Sequence, residues 1–187
     1  MIKSNQESRT QKIAIVGPES TGKSSLTLAL ANALEAPYVL EQARGYLENN
    51  GLAYTQADVE AIARLQLKAE DDALNPNPNL LVCDTNLIVI KIWMDNAYGS
   101  TPAWILEEIK QRSYTIHLLT GIDIPWQADP QREHPHLRAY FLEKYKETLS
   151  DFGIKFHLIS GNENERLTAA LQALAQEGIT ENTAKER

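Results

Sequence analysis

A glycine-containing stretch near the amino end, GPESTGKS, constrains this chain more than any other feature. It runs from Gly17 to Ser24 and directly follows the apolar run KIAIV. The pattern G-x-x-x-x-G-K-[ST] is that of a phosphate-binding loop, which joins a buried strand to a helix. The apolar run before it and the helical pattern SSLTLALANALE after it provide that context. A chance match in a chain of 187 residues has a probability of about one in a hundred.

The residue types in this loop are those that hold phosphate groups. Gly17 and Gly22 let the backbone curl so that several N–H groups point inward, and the following helix adds its own unpaired N–H groups. Lys23 supplies a positive charge to the outer phosphates, and the Ser24 hydroxyl can bind Mg²⁺. Glu19 is unexpected because a carboxylate repels phosphate; it could hold a water, a substrate hydroxyl or a cation. We therefore predict a nucleoside triphosphate site.

Strand-like and helical segments alternate along the chain, which predicts an α/β fold. The apolar runs that predict strands are KIAIVG, PYVLE, LLVCD, YTIHLLT and KFHLIS. Such alternation is typical of parallel strands with helices on both faces of the sheet. The active sites of these sheets lie beyond the carboxyl ends of the strands. We expect a single domain over residues 1–187, with mobile ends at residues 1–11 and 179–187.

Helix signals mark the segments between the predicted strands. Thr55 and Asp58 have the spacing of a capping box for a helix over residues 56–74. The segment NLIVIKIWMDNA predicts a helix after the third strand, and Pro102 suits the start of a helix over AWILEEIKQR. Two later helices are predicted over AYFLEKYKETLSDF and ENERLTAALQALAQ.

Composition is that of an ordinary globular protein and argues against several classes of partner. Apolar residues make up 43% of the chain, and the net charge of −7 disfavours binding to nucleic acid. The single cysteine, Cys83, cannot form an internal disulfide. No apolar run approaches the ~20 residues that span a bilayer, and the polar start MIKSNQESRT is unlike a secretory signal. We expect a cytoplasmic protein without nucleic-acid or membrane partners; composition leaves the oligomeric state open.

Two acidic residues stand at predicted strand ends beside the phosphate loop. Asp84 ends the third predicted strand, where phosphate-loop enzymes hold Mg²⁺ with the help of a residue such as Ser24. It could instead cap the helix that follows. Glu41 ends the second predicted strand, where a carboxylate can receive the proton of an acceptor or bind its hydroxyls. Glu41 and Arg44, one helical turn later, could also form an ordinary surface pair.

Aromatic residues near these strand ends are candidates for binding an acceptor with a flat ring. Tyr46, Trp93 and Trp126 could stack against such a ring, although an individual aromatic residue is more often part of the core. The predicted acceptor-binding residues are Glu41, Arg44, Tyr46, Asp84, Trp93 and Trp126.

The segment GIDIPWQADPQREHPHLR, at residues 121–138, is too long for a simple connection, which has about 2–6 residues in α/β units. We predict that it is a lid, because a small-molecule kinase needs a mobile basic segment that excludes water from the transfer. Arg132 and Arg138 could each neutralise charge in the transition state, or each be a surface arginine. The predicted nucleotide-binding residues are Gly17, Pro18, Glu19, Ser20, Thr21, Gly22, Lys23, Ser24, Ser25 and Arg132.

Phosphate loops serve switches and motors as well as kinases. A GTP-dependent switch needs a guanine-reading Asn-Lys-x-Asp after a late strand, and the segment LISGNENER does not contain one. A mechanical or DNA-handling ATPase is usually larger and oligomeric, and the sequence does not exclude it. The lid and the strand-end acids favour a small-molecule kinase.

Several motifs occur in the order found in one family of kinases. These motifs are IVGPESTGKSSL, YVLEQARGYL, LLVCDTN, YGSTPAWI and LLTGIDIPWQADPQREHP. From about Lys12 to Arg166 the chain resembles the nicotinamide riboside kinase module of the bacterial NadR-type regulator of NAD biosynthesis. The resemblance implies a P-loop NTPase fold, a three-layer α/β/α sandwich with a five-stranded parallel sheet ordered 2-3-1-4-5. It also implies transfer of the γ-phosphoryl group of ATP to the 5′-hydroxyl of nicotinamide riboside, which gives nicotinamide mononucleotide for NAD salvage.

The resemblance further implies roles for single residues. The loop residues with Lys23 and Ser24 would hold ATP and Mg²⁺, and Arg132 would be the lid arginine. Glu41 and Asp84 would act at the acceptor, with Asp84 favoured as the proton acceptor. The residues before the first strand are too few for the adenylyltransferase module of fuller members, so we expect a stand-alone kinase. The alternatives are a kinase for another nucleoside or small metabolite and a regulatory ATP-binding module.

Overall fold

The structure, a computed structural model, describes residues 10–180. Strands and helices follow one another along this part of the chain, with short connections except between β4 and α6. In chain order the elements are β1 (Gln11–Val16), α1 (Lys23–Ala33), β2 (Tyr38–Val39), α2 (Gln42–Asn50), α3 (Gln56–Leu74), β3 (Leu80–Asp84), α4 (Leu87–Tyr98), α5 (Ala103–Gln111), β4 (Ile116–Thr120), α6 (Arg138–Asp151), β5 (Phe156–Ile159) and α7 (Glu163–Gln176).

The strands form one parallel sheet in the order β2-β3-β1-β4-β5, which confirms the predicted fold class and strand order. The central strand β1 pairs with β3 on one side and with β4 on the other. Ile15 lies opposite Asp84 of β3, and Val16 lies opposite Leu119 of β4. The phosphate loop begins directly after Val16. Parallel pairing therefore brings the loop, Asp84 and the start of the lid to one edge of the sheet.

Alternate residues of β1 face the two helical layers. Ile13 and Ile15 pack in an apolar cluster with residues of α1 and α7. Ala14 and Val16 pack in a second cluster, with residues of α3, α4, α5 and α6. All four side chains are fully buried. Because successive strand residues point to opposite faces, one short apolar strand holds both layers of the predicted α/β/α sandwich together.

Helix caps settle two questions that the sequence raised. Thr55 and Asp58 form both hydrogen bonds of the predicted capping box at the start of α3. Asn86, and not Asp84, caps α4, because its side chain accepts a hydrogen bond from the N–H of Ile88 at 3.0 Å. Asp84 therefore does not cap α4.

Helix α2 was not predicted as an element. Its sequence, QARGYLENN, buries only Ala43 and Leu47. Although their spacing of four suits a helix, two apolar positions are too few for a recognisable helical pattern. The helix is nevertheless important for the site, since it begins directly after Glu41.

The limits of the predicted mobile ends are wrong at two positions. Gln11 is the first residue of β1, and its N–H donates to the carbonyl of Asn79 at 2.8 Å. Ile179 is buried against the α1 and α7 layer. Residues 1–9 and 181–187 lie outside the described part of the chain.

Within residues 10–180, no helix combines the length and the apolar character that crossing a bilayer requires.

Candidate active site

The phosphate loop has the backbone conformation that its glycines predict. Gly17 and Gly22 both have positive φ angles, of 147° and 74°. A Cβ atom on Gly17 would lie 2.3 Å from Oγ1 of Thr120, so no larger residue fits there. Ser20 also has a positive φ, of 54°, which costs free energy in a residue with a side chain. The loop is thus a strained backbone turn held by its surroundings.

Side chains from two neighbouring loops hold this turn in shape. The hydroxyl of Thr21 donates to the carbonyl of Pro18 at 2.7 Å and lies 2.6 Å from the hydroxyl of Thr120. The buried guanidinium of Arg166 donates to the carbonyl of Thr21 at 2.6 Å and also bonds Gly121 and Asp123. The carbonyl groups of Pro18 and Thr21 therefore have side-chain hydrogen-bond partners that hold the loop in this conformation.

Lys23 and Ser24 are the first residues of α1. The Nζ atom of Lys23 lies 3.0 Å from the carbonyl oxygen of Pro18, so the side chain folds back across the loop. Its positive charge faces the same space as the loop N–H groups. The predicted pair of an ammonium group and a helix start is therefore present at the mouth of the loop.

Asp84 lies beneath the loop and not on the cavity surface. Its carboxyl group is almost fully buried, and Oδ1 has no hydrogen-bond partner among residues 10–180. Burial raises the pKa of Asp84, while a hydrogen bond from Ser24 and the charge of Lys23 act in the opposite direction. An unpaired buried carboxyl oxygen beside a serine hydroxyl suits a hard cation such as Mg²⁺. These two residues fit the predicted metal site.

Glu41 occupies a different position from Asp84. It lies at the start of α2 and makes no side-chain cap, and its side chain lines the cavity together with Lys23. Burial raises the pKa of Glu41, whereas the charge of Lys23 lowers it and the charge of Asp84 raises it further. A carboxylate with a raised pKa at the cavity wall is suited to accept a proton. Sequence reasoning favoured Asp84 for this role; the geometry favours Glu41.

A single cavity of about 430 Å³ joins these residues. One end is the phosphate loop, where every residue from Gly17 to Leu26 contributes to the lining. The other end lies between α2, α4 and α6. Glu41 and Lys23 lie where the two ends meet. The volume is within the ordinary range for a small-molecule site.

The far end of the cavity is aromatic with a few polar groups. Trp93 and Tyr54 contact each other edge to face, with ring centroids 4.8 Å apart. Phe141 and Tyr145 come from one face of α6, and burial, followed by the charges of Glu41 and Glu19, raises the pKa of Tyr145. Such a lining suits a ligand with a flat ring. Polar lining residues from α2, α4 and the lid include Arg44, Asn96, Glu133 and His134.

The predicted lid, residues 121–138, crosses the mouth of the cavity. The hydroxyl of Ser20 accepts hydrogen bonds from the backbone N–H of Gln127 at 2.8 Å and from Arg132 at 3.3 Å. Arg132 therefore lies at the phosphate loop. Arg138 does not, because its guanidinium donates to the carbonyls of Ile122 and Ile124 inside the lid. Of the two arginines that the sequence left open, Arg132 contacts the phosphate loop and Arg138 does not.

Glu19 has a partner that the sequence did not predict. Its Oε2 atom accepts hydrogen bonds from the backbone N–H groups of Glu133, at 3.0 Å, and His134, at 3.1 Å. The carboxylate of the phosphate loop thus binds the lid backbone. The contact joins the two segments that would enclose a nucleotide.

Of the predicted acceptor-binding residues, Tyr46 and Trp126 lie off the cavity and Arg44 lines it. The hydroxyl of Tyr46 donates to Asp58 at 2.7 Å, and Tyr46 does not line the cavity. Trp126 belongs to the lid but also lies off the cavity surface. Arg44 does line the cavity, and its guanidinium binds Asp129 of the lid at 2.9 Å. Trp93 is the one predicted aromatic residue that reaches the cavity.

Several cavity residues were missed by sequence reasoning. Phe141 and Tyr145 are four residues apart, so their common helical face was a usable signal. Tyr54 and Asn96 gave no signal, because nothing in their neighbouring residues distinguishes them from surface positions. Arg166 stands among polar residues at the start of α7, and only the tertiary structure reveals that it supports the phosphate loop.

A family profile described as an AAA domain matches residues 12–166 of the sequence. The chain belongs to this AAA domain family. The matched region of the AAA domain begins in β1 and ends in α7, so it includes the phosphate loop, both strand-end acids and the lid. Among curated proteins, no sequence gives a significant match.

Solved structures with the same fold as this AAA domain include two of NadR. A NadR protein in complex with NR matches with a TM-score of 0.73 at 21% identity, over 91% of this chain and 52% of the NadR chain. A NadR protein in complex with NAD and AMP-PNP matches with a TM-score of 0.69 at 20% identity, over 91% of this chain and 50% of that one. The AAA domain thus spans about half the length of the NadR structures it matches. The predicted resemblance to NadR is confirmed at the level of the fold.

A third structural relative of this AAA domain is a kinase of similar size. Thymidylate kinase from Ehrlichia chaffeensis matches with a TM-score of 0.65 at 13% identity, over 89% of this chain and 99% of the kinase. The AAA domain therefore has the P-loop kinase fold predicted from the sequence.

Proposed function

We propose that this chain is an ATP-dependent kinase that phosphorylates the 5′-hydroxyl of nicotinamide riboside. The single observation that carries the proposal is the shape of the cavity. It is lined by the phosphate loop, by Lys23 and Glu41, and by the aromatic residues Tyr54, Trp93, Phe141 and Tyr145, so in this proposal the loop binds the donor and the aromatic end binds the acceptor. A module that only binds or hydrolyses a nucleotide has no need of a second half of this kind.

The donor side of the site would bind the phosphates of ATP. The loop N–H groups and Lys23 supply fixed positive charge where negative charge develops during transfer. Mg²⁺, when bound, supplies further positive charge to the phosphate oxygens, and Ser24 and Asp84 are the residues that would hold it. In this proposal Asp84 is a metal-site residue and not the proton acceptor.

Glu41 would be the general base. As the acceptor oxygen attacks the γ-phosphorus, the hydroxyl proton moves to the carboxylate of Glu41, and the bond to the leaving ADP breaks. The raised pKa of Glu41 makes its carboxylate more basic than an ordinary glutamate. The nearby charge of Lys23 lowers the pKa of Glu41 and so favours the ionised form that a base requires.

Arg132 would complete the positive surroundings of the transferred group. Its guanidinium lies within hydrogen-bond distance of Ser20 in the phosphate loop. A shift of that one side chain would let it contact phosphate oxygens instead of the serine hydroxyl. Because charge on those oxygens changes during transfer, this contact would matter most in the transition state.

The choice of nicotinamide riboside rests on three supports. The motif resemblance extends over the loop, the strand ends and the lid, and a NadR protein of the same fold has been solved in complex with NR. The aromatic end of the cavity suits a flat ring joined to a sugar. The location in the cytoplasm and the absence of nucleic-acid or membrane partners stay predictions.

One experiment tests the proposal against its rivals. ADP release from Mg·ATP is measured with a panel of nucleosides that includes nicotinamide riboside, and the phosphorylated product is identified by mass spectrometry. We expect nicotinamide riboside to stimulate ADP release and to appear as its 5′-phosphate. Stimulation by a different nucleoside would reject the acceptor and retain the kinase. Absence of stimulation by any acceptor would reject the kinase.

A further inference from the structure

The lid is attached to the phosphate loop through two consecutive loop residues. Oε2 of Glu19 accepts the backbone N–H groups of Glu133 and His134, and the hydroxyl of Ser20 accepts the N–H of Gln127. Both acceptors come from the loop, and every donor in this set is a lid backbone group. The Glu19 carboxylate, which would repel phosphate, thus binds the backbone of the lid.

The hydrogen bonds to Glu19 also restrain the backbone next to Arg132. Glu133, whose N–H binds Glu19, is the next residue after Arg132. The two hydrogen bonds at 3.0 and 3.1 Å fix the backbone on the carboxyl side of the arginine. On its other side, the guanidinium donates to the carbonyl of Gln127 and to Ser20. The arginine is therefore fixed at both ends above the loop.

The geometry points to Glu19 as the residue that positions the lid and, through it, Arg132. Hydrogen bonds from N–H groups to a carboxylate are about twice as strong as those to a neutral acceptor. One carboxylate oxygen that accepts two neighbouring backbone N–H groups holds a short segment of main chain in a single orientation. Glu19 is a positioning residue in this account, because it touches the lid backbone and acts through Arg132.

Other attachments of the lid lie farther from the phosphates. Arg44 binds Asp129 at 2.9 Å, and Tyr54 donates to Glu133 at 2.8 Å. Those contacts join the lid to the α2 side of the cavity. Among residues 10–180, Glu19 and Ser20 accept the direct hydrogen bonds from residues 127–134 of the lid to the phosphate loop, whereas Arg166 bridges the loop to the start of the lid at Gly121 and Asp123.

The first test measures backbone hydrogen exchange at the amides of Glu133 and His134 by NMR, without nucleotide or acceptor. We expect Glu19→Ala to speed exchange at both amides by about tenfold or more, since a hydrogen bond to a charged group is lost. Glu19→Gln, which keeps an acceptor oxygen of the same shape, should have a smaller effect. Glu147→Ala, which removes an exposed acid of α6, is the matched control and should change neither amide. Unchanged exchange in Glu19→Ala would overturn the inference.

The second test rests on the proposed kinase function and asks whether Glu19 acts through Arg132. Glu19→Ala alone should lower kcat by about 10- to 100-fold, as expected when a catalytic group is displaced by about 1 Å. In an Arg132→Ala background the same change should lower kcat less than about twofold, because the positioned group is already absent. Equal effects in both backgrounds would reject the role.

The two tests separate failure of this inference from failure of the proposed function. Hydrogen exchange needs no substrate, so it decides whether Glu19 binds the lid even if no acceptor is phosphorylated. Thermal unfolding of each variant identifies any loss of fold. Should Glu19→Ala unfold, the exchange and kinetic comparisons are made with Glu19→Gln, where unchanged values in both would reject the inference.

Discussion

At the scale of single residues, three charged groups of the site differ in what surrounds them. Lys23 faces the cavity, Glu41 lines it at the junction of its two ends, and Asp84 is buried beneath Ser24. The sequence does not distinguish the two acids, because both were predicted at strand ends; in the structure Asp84 ends β3, whereas Glu41 follows β2 and directly precedes α2. This difference in position is why our proposal assigns Asp84 to the metal site and Glu41 to proton transfer.

Removal of Lys23 tests the donor site. Lys23→Ala deletes one preorganised positive group of the proposed donor site. The activation free energy derived from kcat/KM should rise by about 3–4 kcal/mol, as for loss of one such donor. The fold should persist, because the side chain bonds only the carbonyl of Pro18. Steady-state kinetics and thermal unfolding check both expectations, with Lys146→Ala on the exposed face of α6 as control. Unchanged turnover would rule out this site.

The raised pKa of Glu41 predicts a pH dependence of activity. A base works in its ionised form, so kcat/KM should fall as the pH is lowered through the raised pKa of this carboxyl group. Glu41→Gln should lower kcat by about 10²-fold or more and remove this limb of the profile. The profile of kcat/KM against pH is the measurement, and Glu48→Gln on the same helix is the control. An unchanged acidic limb in Glu41→Gln would assign the base to another residue.

The same carboxyl group predicts a gain in stability when it is replaced. Because its pKa is raised in the folded state, the folded chain binds the proton more tightly, and stability decreases as pH rises from about the ordinary value of 4.5 through the raised pKa. At pH 7, Glu41→Gln should therefore raise Tm by a few degrees, or about 1 kcal/mol. Below pH 4 the gain should vanish. Differential scanning calorimetry at both pH values checks it, and a loss of stability at pH 7 would contradict the assigned burial cost.

At the scale of elements, the lid connects the parts of the chain that surround the cavity. It joins β4 to α6 without regular structure of its own, and it contacts the phosphate loop, α2 and the segment before α3. Its length distinguished it from a simple connection, and several of its residues line the cavity. Its contacts were not predictable, because they pair backbone groups with side chains distant in sequence.

The two lid arginines should differ in what their removal changes. Arg132→Ala should lower kcat more than it raises KM for the acceptor, because its contact with the phosphates is strongest in the transition state. Arg138→Ala removes hydrogen bonds to the carbonyls of Ile122 and Ile124, and should lower Tm instead. Kinetics and thermal unfolding of both variants decide the matter. Equal losses of kcat would show that Arg132 has no special role.

At the scale of the whole molecule, the candidate site and a buried charged cluster lie at opposite ends of the sheet. The site lies at the carboxyl ends of the strands. At the other end, the buried Lys12 binds the fully buried carboxylate of Glu70 at 3.3 Å, and the hydroxyl of Tyr114 also donates to Glu70. Lys12 further lies 3.9 Å from the centroid of the Tyr114 ring. This cluster joins β1, α3 and the start of β4, and none of its members lines the active-site cavity.

Loss of Lys12 should destabilise the fold without changing the chemistry. Lys12→Ala leaves the Glu70 carboxylate buried without its ion partner, which costs about 3–5 kcal/mol. A loss of about 3 kcal/mol in unfolding free energy corresponds to a fall in Tm of about 6–12 °C for a domain of this size. Turnover per folded molecule should be unchanged well below Tm. The control is Lys68→Ala, whose ion pair with Asp72 is exposed and should shift Tm by less than ~2 °C. Equal shifts in the two variants would contradict the prediction.

The sequence by itself determined the fold class, the phosphate loop and the edge of the sheet where the site lies. Gly17 and Gly22 meet a local backbone requirement, and buried parallel strands separated by helices permit few arrangements. Such constraints act between residues close in sequence, so a pattern can report them.

Only the tertiary structure decided which acid faces the cavity, which arginine reaches the loop and what Glu19 binds. Each of these depends on contacts between segments far apart in the chain, as in the hydrogen bonds from residues 133 and 134 to Glu19. Burial and electrostatic surroundings arise from the packing of whole elements, so a side chain's type and spacing do not determine them.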